Sequence, residues 1–251
     1  MRRMLAVAAL AVAGGGCVST AAPSSSDRGE LIRRILASTV QLRAEREGGV
    51  RRAASGVVVA IDRSSRRTWI VTAKHLVEPP GRQEVYVRLP GHRSVVRAAV
   101  AFVSREHDLA IIETELLDVT PVRVRETARL TDEILIVAFP WGQRFTVIRG
   151  IVSQVTSPEG TVPPEGMVLM EGPARMVSAS VSYGSSGGGV FDAETGQLVG
   201  IVEGYRTAKV AIPEMKERVL EMPVAGETTV IATPTILRFL VASGLGDFLP
   251  K

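Results

Sequence analysis

The chain's 251 residues are 45% hydrophobic and 22% charged, enough apolar content for a sizeable core and too little charge for compositional disorder. The formal net charge of +4 falls to +2 once Arg2 and Arg3 are set aside with a leader; the basic residues are scattered along the sequence, which argues against nucleic acid as a partner. Aromatics make up only 4%, so the core must be built from Val, Ile, Leu and Ala, and short Val-rich runs favour strands.

Residues 1–17 read as an export signal. Arg2 and Arg3 precede the apolar run Met4–Ala13, which is too short to span a bilayer and matches a positive n-region followed by an h-region. Cys17, the only cysteine, lies directly behind Gly14-Gly15-Gly16 and looks like the lipidated residue of a bacterial lipoprotein, although Gly14 stands where Leu is typical. Ordinary cleavage after Ala13 or Ala22, with Cys17 incidental, is the alternative. Export to the periplasm or cell envelope, with a membrane tether through Cys17, is the expectation. One cysteine excludes an internal disulfide. Residues 18–29 are rich in Ser, Ala and Pro and read as a linker.

A short helix is expected over Glu30–Ala37, where Leu31, Ile32, Ile35 and Leu36 form an apolar stripe for packing on the outside of a first lobe. The following segments read as short strands: Thr39–Ala44, Ser55–Ile61, Thr68–Thr72, Glu84–Leu89, Val95–Val103 and Leu109–Glu113. Gly48-Gly49, Asp62–Arg67 and Pro79-Pro80-Gly81 break the series. A second series runs through Val122–Val124, Glu133–Phe139, Phe145–Thr156, Met167–Met170, Met176–Val181, Val190–Asp192, Leu198–Tyr205 and Val230–Ala232. Thr235–Ser243 reads as a closing helix before Gly244. Regularly spaced strands with turn signals, and no long βαβ pattern, argue for an all-β fold of barrels or sandwiches. The lobes would span 30–120 and 121–251, together one domain over 30–251.

The chemistry concentrates in Tyr183-Gly184-Ser185-Ser186-Gly187-Gly188-Gly189-Val190-Phe191-Asp192. A serine among glycines suits a turn that side chains would block, one that holds a hydroxyl out and aims backbone N–H groups at a common point. A flexible Gly/Ser loop has the same composition. Two further stretches add a base and a carboxylate: Thr72-Ala73-Lys74-His75, and His107-Asp108-Leu109-Ala110.

These three motifs, in this order, resemble those of the trypsin-like serine proteases of chymotrypsin fold, most closely the HtrA-type and related short bacterial branches. Thr72-Ala73-Lys74-His75 is similar to their T-A-x-H, Asp108-Leu109-Ala110 to their D-[LI]-A, and Gly184-Ser185-Ser186-Gly187-Gly188 to their G-x-S-G-G. The resemblance implies two antiparallel six-stranded β-barrels with a C-terminal helix. It implies a triad of His75, Asp108 and Ser186 in the cleft between lobes, and an oxyanion hole from the backbone amides of Gly184 and Ser186. No metal or cofactor is implied, and no room remains after the last helix for a PDZ domain. By the same analogy Ser180, Gly200, Ile201, Val202 and Glu203 line the substrate site. Ser180 offers no acidic floor, so small or medium apolar side chains are expected in the primary pocket, and Val199–Val202 would pair with peptide as an added strand.

Two departures stand in the nucleophile motif. Ser185 replaces the usual Asn or Asp, and Gly189 replaces the usual Pro, which loosens the turn. Of the three histidines, His107 reads as a surface residue and His92 as part of a hairpin turn. The activity expected is endopeptidase action on exported or envelope polypeptides through an acyl-enzyme. A silent or latent peptide-binding module of the same fold, and an esterase-like acyl hydrolase, are the other readings.

Overall fold

The computed structural model describes residues 25–49, 51–158, 161–211 and 219–250. Residues 1–17, Cys17 among them, lie outside the described residues. Helix α1 (Ser25–Leu36) opens the described chain, so it begins inside the stretch read as a linker. Six strands follow: β1 (Thr39–Arg46), β2 (Arg51–Asp62), β3 (Arg67–Thr72), β4 (Gln83–Arg88), β5 (Val96–Val103) and β6 (Ala110–Glu115). They close into an antiparallel barrel in the order β1-β2-β3-β6-β5-β4. Closure leaves no open sheet edge and lets alternate side chains fill the interior. Val40, Leu42, Val58, Ile70, Val85, Val87 and Ile112 do so here.

A two-stranded ribbon joins β7 (Ala128–Arg129) to β10 (Glu171–Gly172). The second barrel comprises β8 (Glu133–Ala138), β9 (Thr146–Val155), β11 (Ala174–Ser178), β12 (Gly189–Asp192), β13 (Leu198–Ala211) and β14 (Val219–Ala232). Its closed order is β11-β14-β13-β12-β8-β9, around Ile134, Ile136, Val152, Val177, Val190, Val199 and Val202. The two six-stranded barrels and the closing helix are those expected from the sequence.

A third apolar cluster joins the barrels. It holds Val57, Val59, Val71, Leu109 and Ile111 from the first with Val137, Phe191, Leu198 and Ile201 from the second. Strands at this seam are buried on both faces, which explains why Val57-Val58-Val59-Ala60 is continuously apolar rather than alternating. Both helices close the seam. Leu31 and Ile35 of α1 lie in the same cluster as Ile236 and Leu240 of α2 (Thr233–Ala242), so α1 spans both barrels instead of packing on the outside of the first. Its contact with Gly196 of the second barrel, whose added Cβ would stand 2.8 Å from Leu31, shows the same. Helix α2 carries Pro234 in its first turn, where its fixed φ suits the helix and its missing N–H costs nothing. It ends with Leu245 N bonded to Leu240 O at 2.9 Å and Gly244 N to Val241 O at 3.0 Å, the two bonds of a Schellman cap.

Three segments differ from the sequence reading. Val122–Val124 forms no strand; Val122 N bonds to Val58 O and Val124 makes one isolated bridge to Leu198, so this linker is held by both barrels. Met167–Met170 also forms no strand. Met167, Val168 and Met170 are exposed, and the apolar run finds no sheet to join. Strand β14 is far longer than Val230–Ala232: β13 and β14 continue as a paired ribbon from Thr207–Pro223 to Ala211–Val219. Exposed Lys209, Glu221 and Met222 carry no buried face there, so the hydrophobic pattern that marks a strand is missing.

Gly189, which stands where the family has Pro, sits inside β12 paired with Val137 and Ile201. A Cβ there would fall 2.3 Å from the Phe191 ring, so the glycine is a packing requirement of a fully buried Phe191. Gly189→Ala is expected to cost about 1–3 kcal/mol by overpacking. In a double-mutant cycle with Phe191→Leu, urea unfolding should show the combined loss to be smaller than the sum of the two single losses; additive losses would show that the ring is not what excludes the methyl.

Candidate active site

On the first barrel the site grows from strand pairing. Thr72 of β3 lies opposite Ala110 of β6, so the residues just after one and just before the other emerge at the same end of the barrel. A single 3-10 turn, Lys74–Leu76, follows β3, and buried Leu76 and Val77 anchor it. His75 is left with a half-exposed side chain, beside an Asp108 side chain that is 21% exposed. Its Nδ1 lies 2.6 Å from Asp108 Oδ2 and its backbone N–H donates to Asp108 Oδ1 at 2.9 Å. Lys74 N also donates to the Asp108 carbonyl at 3.2 Å. A carboxylate on Nδ1 favours the tautomer that leaves Nε2 free to accept a proton. Burial pushes the Asp108 carboxyl up, but the hydrogen bond and charge of the His75 ring, with smaller help from the His75 amide and the charge of Lys74, outweigh it, and the pKa lies below its ordinary value of 3.8. From below, Arg52 Nη1 donates to the carbonyls of His75 and Glu78, both at 2.7 Å, and holds the turn in place.

On the second barrel, Ser182 to Gly188 forms two tight turns, with Ser185 N bonded to Ser182 O at 3.0 Å and Gly188 N to Ser185 O at 2.9 Å. Gly184 and Gly187 take φ of 87° and 78°, a region that side chains rarely tolerate. The two adjacent serines are not equivalent. Ser185 is fully buried and its Oγ accepts from Ser182 N at 3.4 Å, whereas Ser186 is partly exposed. Among the described residues, neither Gly184 N nor Ser186 N donates a hydrogen bond, and none joins Ser186 Oγ to His75. A bond between nucleophile and base commonly forms only when substrate binds.

What holds the halves together is Ser55 of β2, a residue the sequence reading had taken only as the start of a strand. Its N–H donates to Ser186 O at 2.9 Å. Its Oγ donates to Gly184 O at 2.9 Å and accepts from Phe139 N at 2.8 Å, while its carbonyl accepts from Thr72 Oγ1 at 2.7 Å. One buried residue thus ties the serine turn, the second barrel and the strand that leads to His75. Contact is close enough that a Cβ on Gly187 would stand 2.2 Å from Ser55 O and 2.4 Å from Thr72 Oγ1. No local signal marks Ser55, because its partners are 84 and 129 residues away in the chain.

The expected substrate residues are distributed differently from the sequence reading. Ser180 is exposed and its Oγ accepts from Gly226 N at 3.1 Å. Ile201 and Val202 are fully buried, and Gly200 pairs with both Val190 and Ala232. Val202 exchanges bonds with Gly187 N and Gly188 O, both at 2.8 Å. The backbone of Val199–Val202 is therefore spent within the barrel and cannot take a further strand. The free edge of β13 begins at exposed Glu203, where β12 has ended and no other strand among the described residues pairs on that side. His107 is partly buried in the turn before β6 and His92 is exposed in a turn closed by His92 N to Leu89 O.

A sequence profile of the trypsin-like peptidase domain matches residues 54–201, more than half of the sequence, and the chain belongs to that family. No curated protein sequence matches. Among solved structures, an inactive form of Rv3671c from M. tuberculosis H37Rv with a Ser-to-Ala mutation superposes with a TM-score of 0.62 at 19% identity, over 91% of this chain and 97% of that one. The serine endoprotease from Yersinia pestis gives 0.63 at 20%, over 90% and 68%. The HtrA-type protease AlgW, solved with a tripeptide, gives 0.63 at 21%, over 87% and 63%. At such identities the likeness is one of fold.

Ser55→Ala strands Gly184 O and Phe139 N in a buried site, and urea unfolding should show a loss of about 1–3 kcal/mol; an unchanged midpoint would mean that these groups find other partners. The Asp108 pKa gives a second expectation. Its folded-state value is below the unfolded one, so the stabilisation is present above the ordinary carboxylate range and disappears as pH falls through the lowered value. The stability gap between wild type and Asp108→Asn should therefore close in acid; a gap independent of pH would contradict the assignment.

Proposed function

We propose that the protein is a serine endopeptidase in which Ser186, His75 and Asp108 act together. The observation that carries this reading is an accessible Ser186 on a turn with two unpaired amides, at the barrel seam whose other side presents a carboxylate-bound His75. Ser186 Oγ attacks the scissile carbonyl and passes its proton to His75 Nε2. Asp108 holds the ring and balances its charge. The Gly184 and Ser186 amides stabilise the oxyanion, where preorganised donors supply much of the rate. Collapse expels the amine, which takes the proton from Nε2. Water then attacks the acyl-enzyme by the same path in reverse. The peptide on the acyl side pairs with β13 from Glu203 onward. Ser180 at the base of the primary pocket favours small or medium apolar side chains.

The substrates proposed are exported or envelope polypeptides, reached from a tether at lipidated Cys17. This part rests on Arg2-Arg3, the apolar run and Cys17 in the sequence. A latent enzyme of the same fold is the second reading, favoured by the unmade bond between Ser186 Oγ and His75.

A fluorophosphonate probe should label wild type, with labelling abolished in Ser186→Ala, greatly slowed in His75→Ala, and retained in Ser185→Ala. Asp108→Asn should slow peptide hydrolysis about 10⁴-fold. Labelling lost in Ser185→Ala and kept in Ser186→Ala would overturn the assignment. In cells fed labelled palmitate, incorporation should disappear in Cys17→Ser; retained incorporation would exclude Cys17 as the anchor.

A further inference from the structure

The arginines that look scattered in the sequence are gathered by strand register. On the outer face of the first barrel, Gln41 lies opposite both Ser55 and Arg88, and the next row sets Arg43 opposite Ala53 and Tyr86. A third row sets Glu45 between Arg51 and Glu84. Ser55, the residue bonded to Ser186 O, therefore stands at one end of a surface that runs through Arg88 and Arg43 toward Arg51. The same surface is one wall of a cleft of about 280 Å³ that Arg43, Arg51, Arg52 and Arg88 line, with Trp141 and Tyr183 on the other wall. Tyr183 precedes Gly184, and its carbonyl accepts from Trp141 N at 2.7 Å. Their rings lie 5.3 Å apart and both are exposed.

The charge in this cleft is not balanced. Arg43 and Arg51 share one carboxylate, Glu45, at 3.1 and 3.0 Å. Arg52 is bonded to two backbone carbonyls and Arg88 to the Gln143 carbonyl at 3.3 Å. Among the described residues, none that lines the cleft is acidic. Arg43 also lies over the Tyr86 ring at 5.1 Å, which fixes its guanidinium as a planar, preorganised donor.

We propose that this cleft holds the leaving-group side of the substrate and selects acidic residues there. The inference rests on the catalytic reading above. The acyl side of the peptide runs along β13, whereas no residue of β13 lines the cleft, and Arg52 reaches the carbonyl of His75, the residue that protonates the departing amine. Arg88 of β4 lies opposite Gln41, two residues along β1 from Arg43, so the two arginines are diagonal neighbours on one face at about 7–8 Å, close to the roughly 6.6 Å between alternate side chains of an extended peptide. Two acidic residues at alternate positions thus match Arg88 and Arg43, each able to take a carboxylate by paired N–H donors, while Trp141 and Tyr183 cover the apolar stems.

Full-chain protein carrying Ser186→Ala should be titrated with three fluorescein-labelled peptides of one length: a Glu-containing peptide with an amidated end, its Gln counterpart also amidated, and the Gln counterpart with a free carboxylate. The Glu peptide is expected to bind at least about tenfold tighter than either, to quench Trp141, and to lose its advantage at high salt. Arg43→Gln/Arg88→Gln should abolish the preference without changing thermal melting, and Arg88→Lys should keep part of it. Equal binding of Glu and amidated Gln peptides, or a preference that survives the double substitution, would overturn the proposal. Matching affinity for the free-carboxylate Gln peptide would overturn the side-chain assignment in favour of a chain terminus. Because binding here needs no turnover, a protein that labels at Ser186 but shows no preference keeps the catalytic reading and loses this one; an unlabelled protein that prefers Glu does the reverse.

Discussion

The site depends on how two barrels are held against each other, and Ser55 is the most concentrated expression of that constraint. His75 and Asp108 belong to one barrel and Ser186 to the other, so neither barrel alone contains the arrangement. Ser55 satisfies its own N–H, carbonyl and hydroxyl with partners on both sides. In a buried setting each of those bonds matters chiefly because leaving its partner unpaired is expensive. The apolar seam supplies bulk adhesion, which has no direction; the Ser55 bonds supply the direction. Gly187, with no room for a side chain against Ser55 and Thr72, allows the approach that makes these bonds short.

Chemistry and stability are divided along the strands. Strand interiors carry the barrel cores and the seam, while strand ends carry the polar groups of the site. His75 and Asp108 leave β3 and β6 at one barrel end, so their separation is set by antiparallel pairing and not by loop flexibility. Groups positioned from stiff elements keep their geometry better than groups on long loops. The serine turn is braced likewise, since β12 continues directly from it and pairs with β8 and β13.

Much of this was legible in the sequence because the signals are local. Short alternating or Val-rich runs marked nearly all the barrel strands, and Thr72-Ala73-Lys74-His75, Asp108-Leu109-Ala110 and Gly184–Gly188 marked the candidate site proposed here within a few residues each. What escaped notice depends on distant partners. Ser55 looks like any strand serine until its bonds are drawn. Val199–Val202 looked like a free strand because sequence does not tell which edges are already paired. The outer ribbon of β13 and β14 lacks a buried face and so lacks the pattern that reveals strands. Gly189 read as a loosened turn, yet the Phe191 ring two residues on explains it. Arginines at 43, 51, 52 and 88 seemed dispersed because register, not sequence distance, places them together.

The central proposal is that Ser186, held by Ser55, acts with His75 Nε2 and with the backbone amides of Gly184 and Ser186. The most direct measurement is a crystal structure of the protein after reaction with a peptidyl phosphonate. The account predicts phosphorus bonded to Ser186 Oγ, a phosphoryl oxygen within hydrogen-bonding reach of Gly184 N and Ser186 N, and the Ser55 bonds intact. An adduct on Ser185, or a phosphoryl oxygen turned away from both amides, would contradict it.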